Sequence, residues 1–119
     1  DINKLVKMEN ELKQMTTDIC KKYEIEFEMN QIGGFDPVAF NKECLNNIRN
    51  SANKFGYSYK DIVSGAGHDA CWINTVAPSA MIMCPCVDGL SHNEAEEIKP
   101  EWASSSTNVS HHAAIASAT

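Results

Sequence analysis

The fold is decided between positions 64 and 92, where the chain reads Ser64-Gly65-Ala66-Gly67-His68-Asp69-Ala70, then the apolar run Ala80-Met81-Ile82-Met83, then Asp88-Gly89-Leu90-Ser91-His92. Two glycines predict a tight turn, because glycine reaches positive φ without a Cβ clash. The apolar run is typical of a short buried strand. Loops at the carboxyl ends of strands in open α/β sheets usually hold ligands and metals. We therefore predict an α/β fold with half of a site on these two histidine-bearing loops.

The composition excludes several classes of protein. The chain has 119 residues, enough for one domain or parts of two, and 43% of them are hydrophobic. A formal net charge of −6 argues against binding to nucleic acid or to an anionic membrane surface. No apolar run approaches the roughly 18 residues of a membrane span, and we see no secretory signal. The odd number of cysteines, five, suits a reducing compartment and predicts a cytoplasmic location.

The remaining elements follow from hydrophobic periodicity and turn residues. Steps of three and four predict a helix over residues 2–20, and alternation of apolar and acidic residues predicts a half-buried strand over 23–30. Two glycines and an Asp-Pro within 31–37 mark a domain boundary. Beyond it we expect a helix at 37–55 ending at Gly56, a short strand within 57–63, a helix at 69–76, a strand at 80–84, a loop at 85–97 and a helix from 98 or 100 to about 118.

His92 is the first candidate for chemistry. It follows a glycine turn and precedes Glu94, Glu96 and Glu97. Neutral imidazole is a common zinc ligand, and its second ring nitrogen usually needs an acceptor, which a nearby glutamate would provide. The alternative is an exposed loop histidine beside solvated acids, and spacing alone leaves both open.

His68 is the second candidate. At the start of a helix it could donate a hydrogen bond to a carbonyl or anionic group of a ligand, helped by backbone N–H groups of the turn. Alternatively, His68 and Asp69 only cap the helix. A Cys71–His68 nucleophile pair is conceivable, although Cys71 is expected to face the core. His111 and His112 are predicted to be surface residues of the last helix.

These motifs resemble one family closely. Ser64 to Ala70, Ala80-Met81-Ile82 and Asp88 to Glu96 are similar to the C-terminal part of the N-carbamoyl-L-amino-acid hydrolases and allantoate amidohydrolases, the hydantoinase/carbamoylase amidases. These belong to the dinuclear-zinc aminoacylase and carboxypeptidase superfamily. Pro100-Glu101-Trp102-Ala103 continues the resemblance, which covers roughly residues 5 to 119.

The resemblance implies two domains in the parent protein. Residues 1–34 would be the last helix and strand of an α+β lid or dimerisation domain, and residues 35–119 the C-terminal part of a metal-binding α/β domain. His92 would be a metal ligand. His68 would be catalytic and would bind substrate together with Gly65 and Gly67. The cofactor would be two divalent metal ions, zinc or alternatively manganese, cobalt or nickel.

The implied activity is hydrolysis of a carbamoyl or ureido C–N bond in a small-molecule substrate by a homodimeric enzyme. One histidine cannot hold catalytic zinc, which needs about three protein ligands, so the chain alone is expected to be inactive. The alternative is a non-catalytic remnant or interaction module that keeps the fold without the metal site. On residues alone, a small acidic protein with a Cys–His nucleophile remains a third interpretation.

Overall fold

The computed structural model describes residues 1–34 and 36–118. Within them the chain forms four helices: α1 (Ile2–Lys22), α2 (Lys42–Lys54), α3 (Asp69–Ile73) and α4 (Pro100–Ser117), with a single 3₁₀ turn at Val87–Gly89. The chain divides into two compact units, Asp1–Val38 and Ala39–Thr119. Phe35 and Thr119, which bound the predicted second domain, lie outside the described residues. None of the described helices is both long and apolar enough to span a membrane.

The first unit is built on α1, and the predicted helix at 2–20 is confirmed. The Asp1 carboxylate accepts a hydrogen bond from the backbone N–H of Asn3 at 2.9 Å, which caps the first turn. Lys21 and Lys22 lie in the last turn, where positive charge interacts favourably with the helix dipole. Local capping and dipole interactions therefore stabilise both ends of α1.

The predicted strands at 23–30, 57–63 and 80–84 are wrong for the described chain, because none of the described residues forms a strand. A strand is defined by ladder hydrogen bonds to a neighbouring strand, and these segments find no such neighbour among the described residues. Isolated cross-segment bonds occur instead, from Asn41 N–H to the Ser79 carbonyl at 3.0 Å and from Val87 N–H to the Glu97 carbonyl at 2.8 Å. The described chain is thus helical, and the predicted α/β fold is not confirmed within it.

Helix α2 begins five residues later than predicted. The Asn41 side chain accepts hydrogen bonds from the backbone N–H groups of Glu43 and Cys44, at 2.9 and 3.0 Å, so the cap lies at Asn41 and not at Asp36. The predicted stop at Gly56 is confirmed. Gly56 adopts φ +69°, and the N–H groups of Gly56 and Tyr57 bond the carbonyls of Asn53 and Ala52. This bonding pattern is a Schellman motif, which favours glycine.

The core of the second unit lies between α2 and α4, the one pair of described elements in extensive contact. Ala52 on α2 and Val109 and Ala113 on α4 are buried. Ser51 is the most deeply buried polar residue among those that the structure describes, at 1% exposure, and its hydroxyl donates to the Asn47 carbonyl at 2.6 Å. Small side chains at this contact let the two helices approach closely.

A polar chain crosses the same contact. The Ser51 hydroxyl lies 3.0 Å from Nδ1 of His112, and Nε2 of His112 lies 2.7 Å from Nζ of Lys54. Because Ser51 already donates to Asn47, Nδ1–H is the donor to Ser51 and Nε2 accepts from the ammonium group. The Phe55 ring meets the imidazole edge-on at 5.7 Å. His112 is therefore half-buried, and its prediction as a surface residue is wrong, whereas His111 is exposed as predicted.

Replacing Ser51 with alanine should destabilise the protein by about 1 to 3 kcal/mol, because the Nδ1–H group of His112 would lose its acceptor in a half-buried position. Urea unfolding would measure the change. Ser104→Ala on the exposed face of α4 is the matched control and should stay within about 0.5 kcal/mol. Equal stability of the two variants would contradict a structural role for the Ser51–His112 contact.

Candidate functional site

The turn that precedes His68 is stabilised locally. The Ser64 hydroxyl donates to the Ala66 carbonyl at 3.1 Å and accepts from the Ala66 N–H at 3.3 Å. The positive φ expected at Gly65 is not adopted, and a Cβ there would meet no atom within 4 Å. Upstream, the Arg49 guanidinium binds both carboxylate oxygens of Asp61, at 3.1 and 2.9 Å, which attaches the preceding segment to α2.

His68 is the N-cap residue of α3. Its Nδ1 accepts a hydrogen bond from the Ala70 N–H at 3.1 Å. Of the two alternatives for His68, the structure therefore shows the one in which its side chain caps the helix. In a neutral imidazole with Nδ1 as acceptor, Nε2 carries the proton. The side chain is exposed. Capping therefore leaves His68 with a defined tautomer and a hydrogen-bond donor at Nε2.

The Cys–His nucleophile gains no support. Cys71 N–H bonds the His68 carbonyl at 2.9 Å through the backbone, as expected in the first turn of α3. Within residues 1–34 and 36–118, no hydrogen bond joins the Cys71 thiol to the imidazole, whose Nδ1 is already used by Ala70. A thiolate is activated by contact with its base, and this contact is lacking in the described chain.

His92 follows two left-handed residues, Asp88 at φ +54° and Gly89 at φ +68°, and itself adopts φ +57°. The Ser91 hydroxyl lies 2.8 Å from Nδ1 of His92. Among the described residues, Nε2 has no hydrogen-bond partner, and the side chain is exposed. The prediction that a glutamate would satisfy the second ring nitrogen is wrong, since the neighbouring serine does so.

Glu96 binds the main chain of His92 instead. Its Oε2 accepts a hydrogen bond from the His92 N–H at 2.9 Å, and its Oε1 accepts from the Cys86 thiol at 3.6 Å. Burial, and secondly this hydrogen bond to Glu96, raises the pKa of the Cys86 thiol above its usual value. Cys86 therefore stays a protonated donor at neutral pH. Sequence reasoning missed this role because a contact to a main-chain N–H leaves no spacing signal.

The described residues do not form a complete metal site. No three His, Cys, Asp or Glu side chains among residues 1–34 and 36–118 converge where they could hold a metal ion. An open groove in this unit is lined by Ala39, Asn41 and residues 74–78, and neither His68 nor His92 contributes to it. In the described chain, His68 and His92 are each hydrogen-bonded within their own loop, and no hydrogen bond joins the two loops.

Comparison with known proteins identifies relatives over nearly the whole chain. An N-carbamoyl-L-amino-acid amidohydrolase of Rhizobium meliloti is 46% identical over 99% of this chain and 28% of its own length. An allantoate amidohydrolase of Escherichia coli K12 is 33% identical over 66% of this chain and 19% of its own. The chain therefore spans just over a quarter of the first of these relatives.

A solved structure and a family model agree with these relatives. The crystal structure of a hydantoinase/carbamoylase family amidase from Burkholderia multivorans superimposes with a TM-score of 0.85, at 45% identity, over 92% of this chain and 26% of that one. The model for peptidase family M20/M25/M40 matches residues 3–116. The resemblance drawn from the sequence motifs is thereby confirmed, and the chain belongs to peptidase family M20/M25/M40, among relatives that are hydantoinase/carbamoylase amidases.

Proposed function

We propose that this chain is the C-terminal segment of a metal-dependent amidohydrolase that cleaves carbamoyl or ureido C–N bonds. The named relatives act on N-carbamoyl-L-amino acids or allantoate, which supports this substrate class. The observation that carries the proposal is the bonding of His92. Its Nδ1 is engaged by Ser91, its main chain is held by Glu96, and its Nε2 has no partner among the described residues.

This arrangement fits one ligand of a metal ion. A histidine ligand normally uses one ring nitrogen for the metal and the other for a hydrogen bond that fixes the ring. His92 meets that description through Ser91. Catalytic zinc needs about three protein ligands, and no cluster of that size forms in the described chain. The remaining ligands would come from other polypeptide, and this chain alone would be inactive.

A bound pair of divalent ions, zinc or alternatively manganese, cobalt or nickel, would supply an acidified water and polarise the scissile carbonyl. His92 would hold one ion in place. His68 would donate its Nε2–H to the substrate carbonyl oxygen as negative charge develops there, because its Nδ1 is committed to Ala70. Gly65 and Gly67 would leave room for substrate beside it, which agrees with the open space around Gly65.

We further propose an architecture for the complete protein. Residues 1–34 would complete a lid or dimerisation domain and residues 35–119 an α/β catalytic domain, with the unpaired segments 23–30 and 80–84 joining sheets formed with other polypeptide. The complete protein would be a homodimer that uses a small-molecule substrate. The net charge of −6 supports the proposal that it binds neither nucleic acid nor an anionic membrane surface, and the five cysteines support a cytoplasmic location.

The alternative is a non-catalytic remnant or interaction module that keeps the fold without the metal site. Zinc analysis of the complete protein separates the two. The enzyme should hold about two ions per chain, whereas a remnant would hold none tightly.

Replacing His92 with alanine in the complete protein should lower the turnover of an N-carbamoyl-L-amino acid by about a hundredfold or more and release one metal ion, because a direct ligand is lost. Turnover and zinc content by mass spectrometry would be measured together. His111→Ala, an exposed histidine on α4, is the control and should leave both unchanged. Wild-type zinc content in His92→Ala would refute the ligand role.

Replacing His68 with asparagine should lower kcat by about 10² to 10³-fold while zinc stays bound, because the Nε2–H donor is lost. Asparagine is itself a good N-cap residue, so α3 and the melting temperature should be preserved. This variant therefore separates catalysis from capping. Wild-type kcat in His68→Asn would mean that His68 serves only as a cap, and loss of zinc would assign it to the metal instead.

A further inference from the structure

We propose that Glu96 is a positioning residue for His92: its carboxylate bridges the His92 main-chain N–H and the Cys86 thiol, and thereby holds the imidazole in the orientation from which it binds metal. This inference rests on the proposed function, since it concerns how the proposed ligand is oriented. It assigns a role to a side chain that would touch neither the metal nor the substrate.

The need for such a residue follows from the main chain at His92. A φ of +57° lies in the left-handed region, which residues other than glycine seldom occupy. Such conformations persist where the surroundings hold them in place, and they concentrate at functional sites. The direction in which the His92 ring leaves the main chain therefore depends on whatever fixes this dihedral angle.

Glu96 supplies that restraint from a short turn. The Glu96 N–H bonds the Asn93 carbonyl at 2.9 Å, and the Asn93 side chain accepts from the Ala95 N–H at 2.9 Å. This turn brings the Glu96 carboxylate back to the His92 N–H, with an oxygen-to-nitrogen distance of 2.9 Å. A hydrogen bond to an ionised acceptor is stronger than one between neutral groups.

The second carboxylate oxygen is also bound. Cys86 precedes the Val87–Gly89 turn, and its thiol donates to Oε1 of Glu96 at 3.6 Å. The Cys86 carbonyl accepts from the Gly89 N–H at 3.1 Å. Glu96 therefore connects the segment before the turn to the ligand after it, so that Cys86 and His92 are held by the same carboxylate.

The experiment compares three variants of the complete protein: Glu96→Ala, Glu96→Gln and the control Glu94→Ala. Glu94 lies on the same exposed loop and has the same charge, without a hydrogen bond to His92 in the described chain. The first measurement is Zn²⁺ affinity by chelator competition. The second is hydrogen exchange of the His92 amide in metal-free protein, which requires neither bound metal nor activity.

Glu96→Ala should weaken Zn²⁺ binding by about 10 to 100-fold, as loss of an outer partner of a ligand does, and should accelerate exchange of the His92 amide. Glu96→Gln should recover most of the affinity, because its amide oxygen can still accept from the His92 N–H. Glu94→Ala should match the wild type. If Glu96→Ala does not fold, Glu96→Asp replaces it, because the shorter side chain cannot span the same two donors.

Unchanged Zn²⁺ affinity in Glu96→Ala, or an equal loss in Glu96→Gln and Glu96→Ala, would overturn the positioning role. His92→Ala, measured alongside, separates this failure from failure of the proposed function. If His92→Ala loses Zn²⁺ affinity and Glu96→Ala does not, only the positioning role fails. If His92→Ala binds Zn²⁺ normally, His92 is not a ligand and both proposals fail.

Discussion

The contact between α2 and α4 is the interaction on which the second unit depends. Its centre is the buried Ser51 hydroxyl, which receives Nδ1–H of His112 while it donates to its own helix. Two other segments are attached to α2. The Asn41 N–H donates to the Ser79 carbonyl, and the Arg49 guanidinium donates to the Asp61 carboxylate ahead of the His68 turn. Helix α2 therefore anchors the segment before the His68 turn through Asp61 and the segment at Ser79 that follows α3.

A β-strand requires a neighbouring strand, whereas a helix does not. This difference explains which secondary-structure predictions are confirmed. Helices form most of their backbone hydrogen bonds within themselves, so local periodicity is enough to predict that they occur, although the start of α2 depends on which residue caps it, Asn41 and not Asp36. The predicted stop at Gly56 is correct because the Schellman motif lies within a few residues. The segments at 23–30 and 80–84 carry strand-like patterns, yet no ladder partner exists among the described residues. Their sequence favours the strand conformation, but a strand forms only where another segment pairs with it.

The same distinction between local and non-local contacts applies to the candidate site. Histidines after glycine turns could be selected from sequence as candidates, because residue type and turn chemistry are local. The contacts that orient them could not. The capping of α3 by His68 depends on one choice of ring nitrogen, and the bond from Glu96 to the His92 N–H depends on a left-handed main chain. His112 was misplaced because its partners, Ser51 and Lys54, lie on another helix.

The proposed role of His92 as a metal ligand connects the local bonding of this chain to the proposed chemistry of the complete protein. Anomalous diffraction at the zinc edge from crystals of the complete, zinc-loaded protein tests it most directly. A zinc ion is expected about 2.0 to 2.1 Å from Nε2 of His92, with Ser91 still bonded to Nδ1. Zinc density with no His92 nitrogen within bonding distance would contradict the assignment.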